Sequence, residues 1–408
     1  MKKRVPKLRF LEFSGEWKEK KFADCVQILS KLVDPKEKRY ENLPHIGPGN
    51  IESSTGRLLK YNLVKNDNLI SGKYLFGKKD VIYGKINPQL KKVVFPHFNG
   101  LCSADAYPLT AKENEILPAF LFNYLLTDDF SAYTISVSMR TGMPKINRED
   151  LDKYLFILPD VIEQQKIADF LSTVDNIIAS EQRILDDLQL KKKGLMQKLF
   201  SRELRFKDKN GKKFPEWEEK KLGYVADILS GKRIPVGDTF AKDDTGLKYI
   251  TVSDMDEKYV NSENIQFISS RVESKIKKYK VKTGDIIIAI VGATIGKLNM
   301  IPSSLNNANL TENCDKFTNY KSVIPEFLYS LLKSDSVIKE IDSQKTVSAQ
   351  PKLALDRLRN FTFLFPSIPE QQKIAECLCL LDNVIEEQRK VVAGWKLRKK
   401  GLLQQMFV

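Results

Sequence analysis

The chain has 408 residues, 42% of them apolar and 29% charged, an ordinary globular composition with room for two or three domains that each own a core. Lys and Arg outnumber Asp and Glu by 67 to 52, and with only two His the resulting +15 is fixed across physiological pH. Such a surplus favours a polyanion, and nucleic acid first, as partner. The longest strongly apolar run, "DIIIAIVGA", is about half of what a membrane-spanning helix needs. "MKKRVPKLRFLEFSGEW" carries charge with no apolar stretch behind it, unlike a signal peptide. The five cysteines (Cys25, Cys102, Cys314, Cys377, Cys379) form no CxxC pair, so free thiols, a cytoplasmic location and no membrane are expected.

In chain order, residues 1–158 mix short β-rich runs such as "DVIYGKI" with one amphipathic helix opened by Pro118. Gly, Asn and Pro punctuate the runs, and the segment is expected to be an α+β domain with a twisted sheet. Residues 159–205 change character. Ile167, Leu171, Val174, Ile178, Leu185, Leu188, Leu195 and Leu199 fall on one stripe at ~3.5-residue spacing, which predicts a coiled-coil helix. Residues 206–365 return to the first pattern, with "KYITVSD", "GDIIIAIVG" and a helix opened by Pro325. Residues 366–408 return to the second, with Ile374, Leu378, Leu381, Ile385, Val392, Trp395, Leu402 and Met406 on the stripe.

The return is a tandem repeat. "EQQKIA" occurs at Glu163–Ala168 and again at Glu370–Ala375, 207 positions later. "EWKEKKFADCVQILS" lies over "EWEEKKLGYVADILS", and "KKKGLMQKLF" over "LRKKGLLQQMF", in the same order. Even the two stripe positions that fail, Glu181 and Lys192, fail again as Gln388 and Lys399. Gly194 and Gly401 weaken each helix by about 1 kcal/mol relative to Ala. Two copies are too few for a solenoid, so a pseudo-dimer within one chain is expected, its long helices packed antiparallel and each roughly 60 Å long. Similarity is high after "EQQKIA" and low between about 32–81 and 234–285. That distribution suits a shared frame carrying two different readers.

Basic and amide side chains concentrate in the loops of the two readers. Lys85, Asn87 and Lys91 lie in "GKINPQLKK", Arg140 and Lys145 in "SMRTGMPKIN". In the second copy Lys232 and Arg233 lie in "SGKRIPVGD", Lys297 in "VGATIGK", and Lys345 and Lys352 in "SQKTVSAQPK". Arg and Lys can pair with guanine edges, Asn with adenine, and further Lys with phosphates, so these ten are the expected DNA contacts.

No catalytic or metal-ligating set emerges. Gly292 and Gly296 are separated by three residues where a phosphate-binding loop has four, and Leu298 stands where Ser or Thr would hold Mg²⁺. "PDVIEQQK" begins a helix and has the wrong spacing for a nuclease motif. "NPQL" at 87–90 imitates a methyltransferase loop poorly, and His45 and His97 both lie in the first half.

The chain resembles the specificity (S) subunits of type I restriction-modification systems. The resemblance covers nearly its whole length and rests on the tandem architecture, the Glu-Gln-Gln-Lys-Ile-Ala helix starts and the Asp-Asn pairs that follow, Asp175–Asn176 and Asp382–Asn383. "YENLPHIGPGNIESSTG" and "ILSGKRIP" add to it; Val161–Ile162, where the second copy has Ile368–Pro369, departs slightly. The resemblance implies two pseudo-symmetric target-recognition domains of mixed α and β structure, joined by two long antiparallel coiled-coil helices. Each domain would read one half of a split, asymmetric site on double-stranded DNA. The helices would set the spacer and dock two modification (methyltransferase) subunits, which restriction (translocase and endonuclease) subunits join. The chain itself would be non-catalytic and carry no cofactor, with S-adenosylmethionine, ATP and Mg on the partner subunits. The rival expectations are a coiled-coil scaffold that binds only proteins, and a nuclease or methyltransferase with diverged motifs.

Overall fold

A computed structural model describes residues 4–138, 143–343 and 352–408. The chain divides into two compact units that are not consecutive stretches: one joins 1–184 to 388–408, and the other is Leu185–Glu387. The division cuts through both of the longest elements, the helices Val161–Phe200 and Ile368–Met406.

In the first unit an antiparallel four-stranded sheet runs in the order Val26–Ile28, Ala106–Ala111, Asp80–Gly84, Val93–Val94. Its side chains alternate between two cores, as strand geometry dictates. Val81, Tyr83, Tyr107 and Leu109 join the core under the helices, while Ile82, Val94 and Ala106 face a second cluster with Ile46 and Phe76. Burial on both faces is why "DVIYGKI" reads as a continuous apolar run instead of an alternating one. The second cluster is roofed by a five-stranded sheet in which Pro44–Ile46 and Gly100–Cys102 are parallel. Glycine is required at Gly100, where a Cβ would come within 2.8 Å of the Pro44 carbonyl.

The second unit builds the same four-stranded sheet from Asp227–Ser230, Cys314–Thr318, Ile286–Ala289 and Leu298–Met300. Ile286, Ile288 and Phe317 face the helix-side core, and Ile287, Ala289 and Cys314 the other. Here the companion sheet has three strands, again with one parallel pair, Lys248–Ile250 beside Asn309–Leu310. The two strands at one side of the first unit's companion sheet, Leu32–Val33 and Lys73–Phe76, have no counterpart strand among the described residues of the second. There Lys280 bridges Asn309, and the helix Ser270–Ile276 lies beside it, its Ile276 carbonyl accepting from the Asn309 side chain. The structural difference thus falls within the stretch where the two sequence copies diverge. Each unit also carries a helix beyond the proline-opened one, Asp128–Ser138 and Asp335–Ser343. The first of these, "DDFSAYTISVS", is poor in strong helix formers, and tertiary packing of Phe130 and Thr134 overrides that preference.

"EQQKIA" fastens each long helix to its domain. Glu163, 1% exposed, receives Arg9 Nε and Nη2 at 2.7 Å each, and Arg9 also donates to the Ser14 and Gly15 carbonyls. Arg205 repeats this with the fully buried Glu370, at 3.2 and 3.0 Å, and with the Phe214 and Pro215 carbonyls. Gln164 accepts from the Leu117 amide and donates to the Glu115 and Pro159 carbonyls; Gln371 does the same with Ile324, Ser322 and Pro366. Ile167 and Ile374 then enter their domain cores.

The helix stripes serve three surfaces. Ile167 and Leu171 belong to the first unit's domain core, and Ile374 and Leu378 to the second's. At the other ends Leu195 and Leu199 pack into the second unit's core, while Leu402, Leu403, Met406 and Phe407 pack into the first's. Between them Val174, Leu185, Ile385 and Val392 are buried, and Ile178, Leu188, Leu381 and Trp395 are half-buried. Within the first unit Asp175 meets Lys399 at 2.6 Å and Glu181 meets Gln388 at 2.6 Å; within the second, Lys192 meets Asp382. In the first unit the partner numbers fall as the helix advances, so the two helices run antiparallel there. The polar breaks of the stripe are therefore each other's partners or those of the repeated Asp. Among the described residues no helix is long and apolar enough to cross a membrane.

Candidate nucleic-acid interface

In the first unit the chain leaves strand Asp80–Gly84 and turns sharply, with Asn87 and Lys91 in the left-handed region at φ 50° and 45°. The departing segment pairs with 144–146: Ile86 bridges Lys145, the Asn87 amide donates to the Pro144 carbonyl at 2.8 Å, and the Ile146 amide to the Lys85 carbonyl at 3.0 Å. Lys85, Asn87 and Lys145 are thereby brought together. Lys91 is not, since its ammonium bonds Asp128 and the Leu126 carbonyl.

A residue that sequence reasoning missed completes the cluster. Arg148 lies over the rings of Tyr107 at 4.9 Å and Tyr74 at 5.6 Å, and donates to Tyr74 Oη at 3.0 Å and to the Ile28 and Leu29 carbonyls. The Lys85 ammonium lies over the same Tyr107 ring at 5.2 Å. Burial, then the proximity of Lys145 and Arg148, holds the Lys85 pKa below its ordinary value. Two cations on the Tyr107 ring, with the exposed Lys145 beside them, are arranged to meet an anion or a base edge. One signal was available in the sequence. Arg148 opens the helix Arg148–Asp152, where a cation opposes the macrodipole and acids are the usual choice.

The second unit has the same backbone device with different side chains. Val291 bridges Lys352, and the Leu353 amide donates to the Ile290 carbonyl at 2.9 Å. Tyr107 pairs with Tyr83, three residues after Asp80; the residue paired with Ile288, three after Asp285, is Asp315. A buried carboxyl thus replaces an aromatic ring. Asp315 accepts from Ser230 Oγ at 2.7 Å, and burial raises its pKa. Leu355 stands in the place of Arg148. Of the expected contacts, Lys232 and Lys352 are exposed, Arg233 is paired with Glu312 at 2.6 Å, and the Lys297 ammonium is bonded to the Met255 carbonyl. Arg140 and Lys345 lie outside the described residues.

The two units thus present one scaffold with different side-chain chemistry at equivalent positions. The sequence model of the family described as Type I restriction modification DNA specificity domain matches residues 14–190 and again residues 215–392. The chain belongs to that family. It is similar to the specificity subunit of the type I restriction enzyme MjaVIII of Methanocaldococcus jannaschii, 29% identical over 76% of this chain and 74% of that protein. It is also similar to that of EcoDI of Escherichia coli, 37% identical over 38% of this chain and 33% of that one. Among solved structures, the type I S subunit from M. genitalium matches with a TM-score of 0.54 at 16% identity, covering 99% of both chains. A chain from a study of complex assembly and conformational transition in a type I R-M system matches at 0.57 and 19%, covering 96% of this chain and 97% of that one. These two likenesses bear on the fold.

Proposed function

We propose that the chain is the non-catalytic DNA reader of a type I restriction-modification complex, each unit's domain reading one half of a bipartite, asymmetric site. The observation that carries this reading is the matched ladder position that holds Tyr107 in one domain and Asp315 in the other. Tyr107 carries Lys85 and Arg148 on its ring, whereas the second domain has Asp315 and Leu355 at those places, so the two domains offer a partner different chemistry at equivalent sites. Lys85, Lys145 and Arg148 in the first domain, and Lys232 and Lys352 in the second, are the proposed contacts. Arg or Lys can pair with guanine in the major groove, and further Lys supplies salt-dependent phosphate affinity. The two long helices set the spacer and dock the modification subunits, which supply S-adenosylmethionine and methylate a base flipped out of the duplex. The +15 charge suits such a partner.

The test is methylation mapping by single-molecule sequencing of DNA from cells that express this chain with its modification subunit. A modified adenine in a split, asymmetric motif, absent without the chain, is the expected result. No new methylation, with partner binding demonstrated, would leave a protein-only scaffold as the better account.

A further inference from the structure

The two long helices carry polar side chains at the same places in both copies, and these meet one another. Asp175 receives Lys399, and at the repeat-equivalent positions Lys192 meets Asp382. Glu181 accepts from Gln388, its own counterpart, through both its carboxylate and its carbonyl. Each ion pair is also tied to its own domain. The Lys399 ammonium lies over the Phe122 ring at 5.3 Å, and Lys258 approaches Asp382 at 3.6 Å.

Stability alone does not call for such pairs, because apolar residues of similar volume in a packed seam do as well or better. What polar pairs contribute in a helix seam is discrimination between registers. The ends of the helices are held in the domain cores, but the seam between them, an apolar stripe that repeats every seven residues, discriminates poorly by itself against a slip of seven. The pairs add that discrimination. A slip of one heptad would bring Lys192 beside Ala375 or Arg389, and Lys399 beside Ala168 or Gln182. Glu181 would meet Leu381 or Trp395 in place of Gln388. Every slipped arrangement strands a half-buried charge, and one sets two cations together.

We propose that Asp175–Lys399 and Lys192–Asp382 are register pins, positioning residues that hold the long helices in a single antiparallel register and thereby give the DNA site one spacer length. The second half of this statement rests on the function proposed above; the first does not. Burial raises the Asp175 pKa while Lys399 opposes that rise, so the carboxylate depends on its partner to stay charged in the seam.

Register is read directly by disulfide trapping in the full chain, with Cys377 and Cys379 changed to Ser. E181C/Q388C reports the native register and E181C/W395C a slip of one heptad. D175K/K192D turns both pins into like-charge pairs; it should lower the native cross-link several-fold and raise the slipped one. D175K/K399D swaps the polarity of one pin and should keep the native yield. D175N/K192M removes charge without repulsion and should fall between them, which keeps the test sound if the reversed variant fails to fold. An unchanged native cross-link in D175K/K192D, or an equal loss in D175K/K399D, would overturn the pins. Methylation mapping of the same variants with the modification subunit should show more than one spacer length for D175K/K192D and one for D175K/K399D. A slipped cross-link with an unchanged single spacer would refute the link to DNA geometry. Absence of any methylation by the unaltered chain would instead refute the function.

Discussion

The two units share a frame and differ at the proposed DNA-contact sites, and the contrast shows which positions tolerate change. In the frame, Arg9–Glu163 and Arg205–Glu370 are the same clamp built twice, as are the bonds of Gln164 and Gln371. Replacing one member of such a set leaves a buried charge or amide without a partner, so the members can change only together. At the proposed contact sites, Tyr107 and Asp315 occupy one ladder position, and Arg148 and Leu355 one helix start. Those side chains lie at the end of a sheet whose backbone pairing, Ile86 with Lys145 and Val291 with Lys352, does not depend on them. Chemistry there can vary without dismantling the support.

That comparison can be broken in three places. The largest effect is expected at the clamp: Arg9→Ala and Arg205→Ala should each destabilise the chain by on the order of 3 kcal/mol, since each takes the cation from a buried glutamate, Glu370 keeping only the Trp217 indole as side-chain donor. Urea unfolding measures both, and a difference of more than about 2 kcal/mol between them would show that the two frames are not equivalent. At the proposed contact sites, Lys145→Ala removes an exposed cation and should leave stability within about 0.5 kcal/mol. Methylation of the cognate site should then weaken several-fold and its salt dependence lose about one unit of slope, as expected for a phosphate contact. A change of preference at one base position would make Lys145 a base reader instead. Arg148→Leu, which installs the second copy's residue, should relax specificity in one half-site only, by about 1–3 kcal/mol of discrimination. Relaxation in both halves would contradict independent readers.

The smallest effect concerns a feature that only the first unit has. The Asp67 carboxyl is held below the ordinary carboxylate range by the Asn62 amide and by His45. A depressed value in the folded state means that the ionised form stabilises. The contribution is complete above the unfolded value of about 4 and is lost as pH falls through the folded one. The stability gap between the native chain and Asp67→Asn should therefore be widest above about pH 5 and close toward about pH 3. A gap independent of pH would show that His45 and Asn62 do not hold the charge.

Much of the frame was legible in the sequence because repetition made the same signal appear twice. The stripes, the helix starts and the matched failures at Glu181 and Lys192 all came from spacing alone. Their partners did not, because Gln388 and Asp382 lie about two hundred residues away and pairing requires a register that no local pattern encodes. For the same reason the stripe read as one seam, although Leu171 and Leu378 serve domain cores. An apolar face does not record what covers it. The basic cluster was half legible: loop composition pointed to Lys85 and Lys145, which the fold brings together, but not to Tyr74 or Tyr107, which read as core strand residues. The equivalence of Tyr107 and Asp315 follows from strand register across a stretch where the copies no longer align.

The interleaved make-up of the units has a consequence for biosynthesis. Leu403, Met406 and Phe407 belong to the same core as Phe120 and Tyr124, with Phe407 at 5.1 Å from the Phe120 ring. A ribosome that has finished residue 184 has more than two hundred residues still to add before that core can close. At about 5–20 residues per second this is a wait of roughly 10–40 s. During it the apolar surface of Phe120 and Tyr124 that Phe407 covers is open to any helix with a suitable stripe, and the helix 161–200 of the same nascent chain is one. The first domain must therefore remain unsealed while the second is made. Faithful assembly then depends on the order in which two closely similar helices become available.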